Sequence, residues 1–88
     1  MLEIATIKEV KLNFGIWCKN MRKSNDLSQE ALARELAVSR ITISKLENGE
    51  NATFETILKI LQYFDELKGL NLFIKSKNED IINHKSLY

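Results

Sequence analysis

Few side chains in this sequence are of types that do covalent chemistry. It holds one cysteine, Cys18, and one histidine, His84, so there is no zinc-ligand spacing and no Cys/His catalytic pair. Asp65 and Glu66 are adjacent and point different ways on a helix. No glycine-rich phosphate loop is present. Catalysis is not expected, nor is a metal or cofactor. Cys18 lies on the apolar side of its helix, with no positive neighbour demanded by the sequence, and reads as a buried, inert thiol. What remains is non-covalent recognition, and one stretch concentrates it: LSQEALARELAVSRITISKLENG, Leu27 to Gly49. It reads as two short helices joined by a tight turn. The second has its own cap and a polar outer face carrying Arg40, Thr42 and Lys45, as a helix entering a DNA groove requires.

Local signals place these elements. Ser28 can cap the leading helix, with Gln29 and Glu30 in its first turn, and Ser39 can cap the second. Leu32 and Leu36 recur one turn apart on the first helix, while Ile43 and Leu46 share a face of the second with Glu47, so this side turns inward. Gly49 stands where a helix end favours a left-handed residue, followed by the polar connection Glu50-Asn51-Ala52. Upstream, Val10, Phe14, Trp17, Cys18 and Met21 predict a helix over about Lys8 to Lys23, ended by Ser24-Asn25-Asp26. Downstream, Thr53 can cap a fourth helix whose Phe54, Ile57, Leu58, Leu61 and Phe64 form an apolar stripe. The aromatic residues follow the buried stripes and are expected in the core or a dimer interface rather than on a base-stacking platform. From Leu67 to Lys77 the character changes: Gly69 interrupts the helical pattern, and LNLFIK suits a strand. With no other strand in the chain, its expected partner is the same segment of a second copy. Asn78 to Tyr88 reads as a loose polar tail.

Composition sets the frame. The chain has 88 residues, 44% hydrophobic and 28% charged, with no proline and three glycines, which fits one mainly helical domain that gains from dimerising. The net charge is only +1, so any contact with DNA must be local rather than a bulk positive field. A lone cysteine cannot form an internal disulfide, and MLEIATIKEV lacks the basic and long apolar regions of a signal peptide. A cytoplasmic location is expected. No apolar run approaches the roughly 20 residues that span a bilayer, so no membrane association is expected.

At these residues the sequence resembles the Cro/repressor, or XRE, family of helix-turn-helix regulators. The likeness covers roughly Val10 to Glu66. It rests on Arg22 ahead of Leu27, then Ser28-Gln29-Glu30, Leu32-Ala33, Val38-Ser39, Ile43-Ser44 and Leu46-Glu47-Asn48-Gly49. In such proteins the start of the leading helix and the outer face of the second touch DNA, which implies Gln29, Ser39, Arg40, Ile41, Thr42, Lys45 and Asn48 here. Arg40 can donate two hydrogen bonds to guanine, worth about 1–3 kcal/mol of discrimination, and Ile41 can press on a thymine methyl. Gln29, Ser39, Lys45 and Asn48 suit phosphates and register, and Thr42 suits either role. The family also pairs an arginine like Arg22 with a glutamate like Glu47, implying a structural ion pair. The chain departs from the family at Ala37, where glycine is usual, and at Ala52-Thr53, where proline is common. Ala37 must either accept a left-handed conformation at a cost or bend the turn differently.

A narrower likeness links TILKILQYFDEL and LNLFIKSKN to the Hip-type antitoxins, whose strands pair across a dimer and which also hold a kinase toxin. The expectation for the whole chain is an all-α, lambda-repressor-like domain of four to five helices. Residues 1–9 form an N-terminal extension, 10–66 the helix-turn-helix domain, and 67–88 a dimerisation strand and tail. The expected activity is sequence-specific binding of double-stranded DNA by a homodimer on a palindromic operator, repressing transcription. The alternative is an antitoxin that neutralises a kinase-like toxin partner and regulates its own operon.

Overall fold

The computed structural model describes residues 4–86 and contains five helices. They are α1 (Ile7–Ser24), α2 (Gln29–Leu36), α3 (Arg40–Glu47), α4 (Phe54–Tyr63) and α5 (Leu67–Ser86). Four of them begin in the same way. The hydroxyls of Thr6, Ser28, Ser39 and Thr53 accept from the amides of Glu9, Ala31, Thr42 and Thr56 at 3.0–3.1 Å, each satisfying a donor the helix itself cannot. Thr6 starts α1 one residue before the expected Lys8.

The first four helices also end alike. Asp26, Ala37, Gly49 and Asp65 take left-handed backbone, with φ of 56°, 55°, 80° and 61°. After α2, for example, the Ala37 amide donates to the Arg34 carbonyl at 3.2 Å and the Val38 amide to the Ala33 carbonyl at 3.0 Å. This doubled closure reverses the chain within two residues. Ala37 therefore accepts the strained conformation, and the turn keeps the shape a glycine would give it.

The core lies where α1, α2, α3 and α4 converge. Cys18, Leu32, Ala33, Leu36, Ile43, Leu46 and Ile60 are buried, and Phe14, Met21, Leu27, Val38, Ile57 and Phe64 pack around them. Three expected stripe members stay outside: Val10, Trp17 and Phe54 are 56%, 41% and 67% exposed. No described helix is long and apolar enough to cross a membrane.

The expected strand over Leu67 to Lys77 is overturned. That segment opens α5, and helix continues through the expected loose tail to Ser86, so no strand exists among the described residues to pair across a dimer. Gly69 does not break it, for it sits on an exposed turn with nothing within 4 Å of where a Cβ would stand, and a glycine there costs a helix only about 1 kcal/mol. Leu67, Leu70 and Ile74, spaced by three and four residues, meet Phe54 and Leu58 of α4 along one groove. That contact needs the helical period, and it outweighs the strand preference of the individual residues. The strand on which the Hip-type likeness depended is thereby lost.

Candidate nucleic-acid interface

The inward side of α3 is set by Ile43, Leu46 and Glu47, all buried. The opposite side must therefore face out. Ile41, Lys45 and Asn48, at four- and three-residue spacing, share it and are exposed, and Arg40 opens the helix beside them. Ile41 is 59% exposed, an apolar side chain held in water by its position on the rod. Ser39, Arg40 and Gln29 cluster at the start of α3, whereas Asn48 ends it, about 12 Å away along an eight-residue helix.

Ser39 and Thr42, both expected contact residues, are bonded to each other. The Ser39 hydroxyl caps the Thr42 amide at 3.1 Å and bonds the Thr42 hydroxyl at 2.8 Å. Both hydroxyls thus serve first to shape the start of α3. Asn48 gives its amide to the carbonyls of Ser44 and Lys45, both at 3.1 Å, which leaves its side chain for outside contacts.

Beneath this face lies a buried ion pair. Arg22 donates to Glu47 through Nε at 2.7 Å and through Nη2 at 2.9 Å, and its Nη1 reaches the Leu27 carbonyl at 2.8 Å. The fork ties α1 to the end of α3 and to the turn before α2. Its hydrogen bond to Glu47 raises the Arg22 pKa further above its already high value, against the opposing pull of burial. The Cys18 thiol lies 4.0 Å from Glu47 Oε2. Desolvation first, then the Glu47 carboxylate, push its pKa up to about 12, with Arg22 pulling the other way. The thiol is thus neutral at ordinary pH.

The pair reaches outward through Gln29. The Gln29 Nε2 donates to Glu47 Oε1 at 3.1 Å, which turns the Gln29 Oε1 toward Arg40, whose Nη1 donates to that Gln29 oxygen across a long 3.4 Å. Arg22, Glu47, Gln29 and Arg40 thus form one chain of polar contacts from the core to the exposed start of α3. An arginine held this loosely presents most of its fork to an incoming acceptor. Sequence reasoning found each of these residues, but it did not find Gly15, over which the end of α3 crosses α1. Its signal was a lone glycine within an otherwise good helix. The Lys11 ammonium, hydrogen-bonded to Asn51 Oδ1, was also missed, and no local pattern marks it.

A family model described as Helix-turn-helix matches residues 19–68, more than half of the chain. The chain belongs to the XRE-type helix-turn-helix family. In this helix-turn-helix chain α2 and α3 are the paired helices, and Ala37 to Ser39 is the turn. It is similar to a protein of Methanocella arvoryzae, 45% identical over 51 residues that make up 58% of this chain and 16% of that protein. It is also similar to a protein of Natronomonas pharaonis, 33% identical over 67 residues, 76% of this chain and 21% of the relative. Both are named as candidate HTH-type transcriptional regulatory proteins. The helix-turn-helix chain spans about a fifth or less of the length of these curated relatives.

Proposed function

We propose that this chain binds double-stranded DNA as a homodimer and regulates transcription, acting as a repressor by occupying a palindromic operator. The observation that carries the reading is the outer side of α3. Arg40, Ile41, Lys45 and Asn48 stand exposed together on a rod anchored by its own buried face. In this reading Arg40 and Ile41 read base edges in the major groove, while Gln29, Ser39, Lys45 and Asn48 hold phosphates and Thr42 serves either end. A dimer sets its two α3 helices into half-sites about 34–36 Å apart. The cytoplasm, where duplex DNA is accessible, is the matching location. A net charge of +1 makes the affinity depend on these few contacts, so salt should weaken it with a shallow slope.

Selection of bound sites from a random DNA pool, followed by footprinting of variants, tests the reading. Arg40→Ala should relax preference at one base pair in each half-site. Lys45→Ala should weaken every sequence alike and lower the salt slope by about one. Uniform loss on all sequences for both variants would remove Arg40 from base reading, and weak, unselective binding by the unaltered chain would overturn the proposal.

A further inference from the structure

A groove and a helix end of this chain expose apolar side chains among the described residues. The first is a groove of about 460 Å³ floored by Ile57 and Leu61 of α4 and walled by Phe14, Trp17, Phe54 and Leu70. It continues into a second hollow of about 450 Å³ where Phe54 and Leu58 face Leu70 and Ile74. The second surface is the distal half of α5. Ile81 and Ile82 are 57% and 64% exposed, and every described residue from Asn71 to Lys85 is exposed.

Within one chain the two cannot meet. Ile74 already stands at the end of the groove, and Ile81, seven residues on, is carried about 10 Å past it by the helical rise. The molecule is drawn out accordingly, with a radius of gyration of 15.9 Å where a compact chain of this length has about 12 Å. Its accessible surface is 7016 Å² for 10.2 kDa, roughly 1,700 Å² more than a compact monomer of that mass. A standard interface covers about 800 Å² of each partner, so the excess is ample for one.

We propose that the occupant of the groove is the distal half of α5 from a second copy. In a symmetric pair the two α5 helices run antiparallel, and each lays Ile81 and Ile82 across the Phe54 end of its partner's groove. The arrangement rests on the homodimer reading above and names its surface. It replaces strand pairing with an exchange of helix ends, and it leaves α3 of both copies uncovered.

The test uses the full chain without DNA. Sedimentation should show a dimer, and Ile81→Glu should raise its dissociation constant by about tenfold or more while far-UV circular dichroism still reports the helices of the core. Phe54→Cys and Ile81→Cys are then made in separate chains. Under mild oxidation a mixture of the two should give a covalent dimer that neither forms alone, because the two positions meet only between copies and Cys18 is buried. A monomer at tens of micromolar would overturn the proposal. So would a dimer indifferent to Ile81→Glu, or cross-linking of Ile81→Cys only to itself, which would mean that another surface or simple side-by-side pairing joins the copies. Arg40→Ala should leave all of these results unchanged, so failure here is distinct from failure of base reading by α3.

Discussion

Gly15 lies so close beneath the end of α3 that a Cβ on it would come within 2.6 Å of the Leu46 carbonyl oxygen and 2.7 Å of that of Glu47. Both obstacles are backbone and cannot swing aside. Gly15→Ala should therefore push α1 and α3 apart and destabilise the fold by about 1–3 kcal/mol, as overpacking does. Thermal melting checks the loss, and an unchanged midpoint would show that the helices can separate freely. Because the displaced element is α3, the proposed DNA binding should weaken even at temperatures where the variant remains folded.

The Arg22–Glu47 pair should behave as a coupled unit. Their side chains are only 9% and 3% exposed. Removing either partner alone, by Arg22→Ala or Glu47→Ala, strands the other's charge and should cost about 3–5 kcal/mol. The double substitution Arg22→Met with Glu47→Leu should cost much less than the two single losses together. Urea titrations of the full cycle measure the coupling, and simple additivity would mean that the pair contributes nothing as a pair.

Ala37 offers the opposite prospect. At φ 55° and ψ 44° its Cβ crowds its own backbone by about 1–2 kcal/mol, while glycine there loses about 0.5–1 kcal/mol of chain entropy on folding. Ala37→Gly should thus raise stability by a net amount of about 0.5–1 kcal/mol. Asp26→Gly and Asp65→Gly should gain less, since aspartate tolerates this region better. Denaturant midpoints decide the ranking.

Cys18 sets an alkaline limit. Its thiol pKa is raised in the folded chain from 9.0 to about 12, so the native state keeps the proton that the unfolded chain releases. The contribution is complete below pH 9 and declines as pH rises from there toward 12. Cys18→Ala should flatten the fall in stability over that window relative to the unaltered chain. At pH 8 a thiol reagent should label Cys18 only as fast as the chain opens, and rapid labelling without unfolding would contradict its burial.

Much of this fold and of its candidate interface was legible in the sequence because it depends on neighbours a turn apart. Ser28, Ser39 and Thr53 cap helices through amides three residues on, and the inward set Leu32, Leu36, Ile43 and Leu46 follows from helical spacing alone. The exposed row Ile41, Lys45, Asn48 is the remainder of the same arithmetic. Other features depend on residues far apart in the chain. Leu67 to Lys77 carries strand-forming residues, yet contact with Phe54 and Leu58 makes it helix, since propensities of a few tenths of a kcal/mol yield to packing. No local rule places Gly15 under Leu46, or passes a polar contact from Arg22 through Glu47 and Gln29 to Arg40. The sequence by itself determined that the first four helices form and which sides of α2 and α3 face inward, because backbone capping and periodicity act within a single turn. Only the tertiary structure decided what α5 is and how the start of α3 is held, because those outcomes depend on atoms that folding alone brings within reach.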